Sequence, residues 1–386
     1  MVERVIPERM ILPWTRRWRA VFVTSVVTTL AGACAPVPHG AATPAAPPAG
    51  LPALTFLSEF TRPSGTVYPR LPGNARFGSM SGLAFDAVSG QWLSVIDDRA
   101  GTRVAWLSIT AAGGRLDVTP TRLQALTAGP GVEERLATQA DLEAVVALPD
   151  GTFLMSEEGH LTKDGVWPPA ILQVTRDGVV TGVIGYPPEF QIRADGKTGL
   201  RDNQGFEGLT LTPGGRVIAG LEQPLLNEPV TSTTRGGHGR LIEFMPDGRG
   251  WKAGRQWRYT ISPTPMVPGF PQACSDGENG LVELLALTNT TLLAMERSCW
   301  LDAAGVAPAN TILIFAVTLE GTTARKTLLL DLSTIAPKLS PALAHLDNFE
   351  GLAFGPPLGG RRTLLLMSDD NFRKTQNTSF LLFGMK

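Results

Sequence analysis

The sequence predicts an all-β protein, a β-propeller of five four-stranded blades, with six blades as the alternative count. Three observations predict it. One stretch of about twenty residues recurs five times, a second hairpin follows each of the first four recurrences, and a lone strand stands at each end. Glycine (42) and proline (31) are plentiful among the 386 residues, which favours turns over long helices.

The recurring stretch reads MSGLAFDAVSGQWLSVIDDR from Met80, DLEAVVALPDGTFLMSEEG from Asp141, GFEGLTLTPGGRVIAGLEQ from Gly205, GLVELLALTNTTLLAMERS from Gly280 and NFEGLAFGPPLGGRRTLLLMSDDN from Asn348. Aligned in this way, the leading positions are Ser81, Glu143, Glu207, Glu283 and Glu350, spaced 62, 64, 76 and 67 residues apart. In each copy a short apolar run meets a turn, and a second apolar run returns and ends in acids. Alternating apolar residues around a Gly-containing turn specify a β-hairpin.

Second hairpins fall at residues 104–126, 170–185, 240–259 and 311–332, turning at Gly113-Gly114, Asp177-Gly178, Asp247-Gly248 and Glu320-Gly321. Four strands per period is the content of a propeller blade. The last copy is followed by one strand only, SFLLFGM (379–385), and ALTFLSEF (53–60) precedes the first copy. These two complete the fifth blade by joining the chain ends.

Hairpins with equal arms bring their two ends side by side, so leading and trailing acids lie at one end of each blade. With first strands on the axis, the expected result is a carboxylate ring of Asp97, Asp98, Glu143, Glu157, Glu158, Glu207, Glu222, Glu283, Glu296, Glu350, Asp369 and Asp370. Crowded carboxylates raise one another's pKa and need protonation, Arg partners or a cation. Hard oxygen ligands in such number suit Ca²⁺. Zinc is not expected, since the chain has four His and three Cys. Two readings stand side by side: the acids ligate metal, or they lock the blades by accepting backbone N–H bonds, with Arg99, Arg297 and Arg373 as partners.

The N-terminus reads as an export signal over residues 1–34. Arg16, Arg17 and Arg19 precede the uncharged run AVFVTSVVTTL (20–30), which is too short to span a bilayer. LAGAC then resembles a bacterial lipobox with Cys34 as the lipidated residue, although Ala31 stands where leucine is usual. Residues 35–50 are Ala/Pro-rich and form a tether, so the propeller spans 51–386. Cys274 and Cys299 remain and are expected to pair, as suits a periplasmic or membrane-anchored protein.

The segments NQGFEGLTL (203–211), DNFEGLAF (347–354) and LLMSDDNF (365–372) resemble the phytase-like β-propeller family, described as having esterase-like activity. The resemblance covers most of the chain from about residue 51. It implies an exported bacterial propeller related to calcium-dependent phytases, with the family glutamates at Glu143, Glu207 and Glu350 and its terminal acidic motif at Asp369, Asp370 and Asn371. The calcium phytases have six blades, where this sequence counts five.

The expected function is metal-assisted hydrolysis of phosphate or carboxylic esters, with Glu143, Glu207 and Glu350 catalytic and the other acids of the ring holding Ca²⁺. Arg99, Arg201, Arg297 and Arg373 are the candidates to hold an anionic ester. The alternative is a non-catalytic ligand- or protein-binding lipoprotein in which calcium is structural. A serine esterase is disfavoured, because the nearest string to G-x-S-x-G, GSMSG (78–82), has Met80 at the nucleophile position. A net charge of -1 gives no basis for nucleic-acid binding. A monomer is expected, touching a membrane only through its lipid anchor.

Overall fold

The structure is a computed structural model that describes residues 50–386 apart from 70, 72–75, 164, 249, 275–278 and 307. The signal peptide, Cys34 and residues 35–49 of the tether lie outside the described residues. The described residues form one compact unit.

Strand pairing gives five antiparallel four-strand runs, the third and fourth joined into one nine-stranded sheet by a short parallel pairing of Arg258 and Tyr259 with Thr323 and Ala324. The first runs Met80–Asp86, Gln91–Ile96, Arg103–Ala112, Arg115–Ala125, and the second Leu142–Ala147, Phe153–Glu157, Ala170–Val174, Val179–Gly185. The third is Phe206–Leu211, Val217–Leu221, Gly237–Asp247, Gly250–Ile261, and the fourth Asn279–Ala286, Thr291–Leu301, Pro308–Glu320, Thr323–Asp331. In the fifth, Asn348–Leu358, Arg361–Asp369 and Asn377–Met385 are joined by Leu54–Pro63 from the other end of the chain. That closing pair runs in register from Leu54 opposite Met385 to Pro63 opposite Asn377.

The first strand of each unit packs against the first strands of its two neighbours, and the ring closes between Met80–Asp86 and Asn348–Leu358. The apolar side chains follow the same order. Five buried clusters lie one between each neighbouring pair of blades, from Met80, Leu365 and Phe380 to Ile314, Leu352 and Phe383. A twisted sheet with apolar residues on both faces must be covered on both, and only its neighbours can do so. Phe206 and Phe349 are fully buried in this way, and truncating either to alanine should cost about 3–5 kcal/mol.

The turns follow the sequence. Gly151 (φ 84°) and Gly215 (φ 77°) adopt the left-handed conformation that closes their hairpins. Elements not legible include the short helix Arg135–Thr138, a small hairpin of His160–Thr162 with Gly165–Trp167, and Gln272–Ala273 paired to the extended end of Thr291–Leu301. Cys274 and Cys299 form the expected disulfide beside that pairing.

Candidate active site

A β-bulge interrupts every innermost strand at the same place. Pairing shifts between Met80 and Leu83, Leu142 and Val145, Phe206 and Gly208, Leu281 and Glu283, and Phe349 and Gly351. A bulge inserts an unpaired residue and re-aims its side chain. The bulged positions are Ser81, Glu143, Glu207, Val282 and Glu350. The motif's glycine has its own reason: a Cβ on Gly82 would lie 2.5 Å from Ala144 Cα, and one on Gly351 3.1 Å from Ser81 O. Backbones of adjacent blades meet there.

The fourth blade therefore departs from the expected alignment by one residue. Val282 holds the leading position, and Glu283 lies between blades, where Oε1 accepts from Leu209 N (3.0 Å) and Leu284 N (2.9 Å). Burial raises the Glu283 pKa, and these two N–H donors act against that rise.

Alternation sorts the trailing acids in the same way, since successive strand residues face opposite sides. Asp97, Glu158, Glu222, Arg297 and Asp369 take equivalent positions one residue past those opposite the leading strand. The preceding residues, Ile96, Glu157, Leu221, Glu296 and Ser368, face away. Glu296 accordingly accepts from Tyr259 OH (2.7 Å), Ser262 N (3.0 Å) and Asn279 Nδ2 (2.9 Å) and pairs with Lys326. Glu157 is fully buried, 4.0 Å from Arg135 Nη1, and neither of its oxygens makes a hydrogen bond. Burial pushes its pKa up to about 8, with Arg135 acting against it.

Asp98 and Asp370 also stand outside the ring. Asp98 pairs with Arg103 (2.8 Å) and Arg76 (3.5 Å). Asp370 accepts from Ser79 N (2.9 Å), Phe372 N (3.0 Å) and Thr378 Oγ1 (2.7 Å), which ties the last blade to the first. Arg201 is turned to the backbone, donating to Pro224 O (2.9 Å) and Glu228 O (3.0 Å).

Six of the remaining carboxylates, Asp97, Glu143, Glu207, Glu222, Glu350 and Asp369, line a cavity of about 560 Å³ together with Arg297 and Arg373. Arg297 reaches Glu350 at 3.1 Å and Glu222 at 3.7 Å, so one guanidinium spans the acids of the blades on either side. The disulfide lines the cavity wall. At the opposite end of the ring a second cavity is walled by Leu83, Val145, Leu209, Leu284 and Leu352.

Two groups of three carboxylates form within this site, each with ligand oxygens within 4.8 Å of one another: Asp97, Asp141 and Glu143, and Glu158, Glu207 and Glu222. Sequence reasoning missed Asp141, which stands one residue before Leu142 as Asn348 stands before Phe349. Arg99 pairs with Asp141 and also donates to Asn203 Oδ1. Asp97 stands beside Asp141, and carboxylates this close favour a proton on one of them. Burial first, then Asp141 and Asp369, push the Asp97 pKa up to about 9. Burial and then Glu207 raise Glu143, and burial and then Glu222 raise Glu207.

Glu158 Oε1 accepts from Gly205 N at 2.6 Å, whereas Oε2 is buried with no hydrogen-bond partner. Three converging carboxylates, one with an orphaned buried oxygen and none joined by His or Cys, fit a hard divalent cation such as Ca²⁺.

The sequence of residues 75–372 matches the family model described as phytase-like, esterase-like activity of phytase. The chain belongs to the phytase-like family. The match takes in every carboxylate of the cavity in this phytase-like propeller. A comparison with curated proteins gives no match. Among solved structures, an endo-arabinase from Bacteroides thetaiotaomicron is similar at 12% identity, covering 84% of this chain and 96% of that one, with a TM-score of 0.46. A gluconolactonase from Xanthomonas campestris is similar at 12% identity, 84% and 97% coverage and a TM-score of 0.33. These overlaps are loose and carry no weight for the reaction. No helix among the described residues of the phytase-like chain is long and apolar enough to cross a membrane.

Proposed function

We propose that this propeller hydrolyses carboxylic or phosphate esters with the help of a bound Ca²⁺. The observation that carries the reading is the convergence of Glu158, Glu207 and Glu222 within 4.8 Å, with Glu158 Oε2 buried and unpartnered. These three would hold the ion. When bound, it would polarise the ester oxygen and offset the charge of Glu207 that raises Glu143.

The chain's own residues divide the proton work. Asp97, held protonated beside Asp141, is placed to give its proton to the leaving oxygen. Glu143 takes the proton of the attacking water. Ser81 Oγ, 2.9 Å from Glu143 Oε2 and 3.1 Å from Glu350 Oε2, fixes both carboxylates. Arg99 holds Asp141 in place beside Asp97. Arg373 lines the cavity and is available to an anionic substrate.

Export is part of the same reading. The Cys274–Cys299 disulfide suits an oxidising compartment, in line with a signal peptide ending in a lipobox at Cys34. The test is turnover of p-nitrophenyl acetate and p-nitrophenyl phosphate with calcium and with chelator. Hydrolysis of either that disappears with chelator and with Glu207→Gln is expected. No turnover, together with a melting temperature that still rises in calcium, would make the site a structural calcium site in a binding propeller.

A further inference from the structure

Amides, rather than guanidiniums, dominate the wall above the carboxylates. Seven Asn and Gln side chains line the cavity against two Arg, and no aromatic ring lines it among the described residues. Six carboxylates face those two guanidiniums, and Arg297 is already engaged with Glu222 and Glu350. Such a wall offers a polyanion few cations of its own and no stacking platform. Side-chain amides both donate and accept, so they read hydroxyl groups.

Three of these amides are built into the wall. Gln223, Asn310 and Gln376 are 2%, 5% and 3% exposed. Gln223 Nε2 donates to Asn279 O (3.1 Å) and Asn310 Nδ2 to Leu346 O (2.9 Å), which fixes both amide planes through their NH₂ groups. Gln223 Oε1, Asn310 Oδ1 and Gln376 Oε1 all lack a hydrogen-bond partner. A buried acceptor left unmatched is costly, and a donor supplied by a ligand relieves that cost.

We infer that the substrate is a polyhydroxylated acyl ester, a neutral sugar or polyol carrying an O-acyl group, whose hydroxyls donate to Gln223, Asn310 and Gln376. The inference rests on the ester-hydrolase reading and narrows it to the carboxylic class. In the reaction, water oxygen bonds to the acyl carbon and the bond from that carbon to the polyol oxygen breaks. The polyol oxygen takes a proton, the products are a carboxylic acid and the free polyol, and nothing is oxidised or reduced.

The test uses the full-length protein in calcium. Hydrolysis of 6-O-acetylglucose is compared with that of ethyl acetate, and binding of glucose, myo-inositol and phytate is measured by calorimetry. Expected are a kcat/KM at least tenfold higher for acetylglucose, and millimolar binding of glucose or myo-inositol that weakens severalfold in Gln223→Met. Gln204→Ala, half-buried at the rim, serves as the second variant if Gln223→Met does not fold. Equal kcat/KM for the two esters, or phytate binding more tightly than either neutral polyol, overturns the inference while leaving ester hydrolysis intact. If no ester turns over, the hydrolase reading fails by itself, and calorimetry still decides: polyol binding sensitive to either variant supports the recognition, and its absence overturns it.

Discussion

Ser81 stands at the bulge where three other blades place a glutamate, and its hydroxyl lies 2.9 Å from Glu143 Oε2. Glu350 Oε2 lies 3.1 Å from the same oxygen. One hydroxyl proton serves two carboxylates, so the trio holds together when one of the acids is protonated or a cation is near. Ser81→Ala removes the bridge and should lower stability by about 1–2 kcal/mol, read as a lower urea midpoint. It should also reduce kcat more than it raises KM, because both carboxylates lose their orientation.

Arg297 is the positive member of an otherwise acidic trailing ring, reaching Glu350 and Glu222 from the blade between them. Arg297→Gln should therefore tighten calcium binding severalfold while lowering the melting temperature in chelator. Calorimetry and thermal unfolding check the two halves separately, and weaker calcium binding in the variant would contradict the assignment.

Glu157 gives a pH dependence with a definite sign. Its folded pKa of about 8 lies above that of an unfolded glutamate, so the folded state holds the proton more tightly. Its penalty is absent below about pH 4, grows as pH rises, and is complete once pH passes the folded value of about 8. Glu157→Gln should leave stability near pH 4 almost unchanged and raise it by several kcal/mol at pH 8. Urea midpoints of both proteins in chelator measure the difference, which should widen as pH rises.

Cys274–Cys299 closes a chain separation of 25 residues and lines the cavity. Replacing both with serine should cost about 3 kcal/mol through the freed unfolded chain. The wall they hold should loosen as well, so KM should rise more than kcat falls. An unchanged KM would place the disulfide outside substrate binding.

Much of this was legible in the sequence, for identifiable reasons. The period, the hairpin turns and the unpaired terminal strands led to an all-β propeller closed by its two terminal strands, because each feature constrains backbone pairing directly. Glu207 and Glu350 stood out in the sequence because the glutamate recurs at the head of the repeat, and both line the cavity. Glu283 was misplaced, since a one-residue difference in the fourth blade's bulge puts Val282 at the leading position, and the sequence carries no mark of that difference. The pairs Glu157-Glu158 and Asp369-Asp370 read alike, yet strand alternation and the tie to Ser79 send only Glu158 and Asp369 to the axis. Asp141 went unread because its role depends on Asp97 and Arg99, which arrive from another blade.

The central claim is that Glu158, Glu207 and Glu222 form a cation site, and calcium titration calorimetry on the protein and on Glu158→Gln tests it most directly. The account predicts saturable calcium binding that falls at least tenfold in the variant, with both proteins equally folded in chelator. Calcium binding of equal strength in the variant, or none in the parent protein, would contradict it.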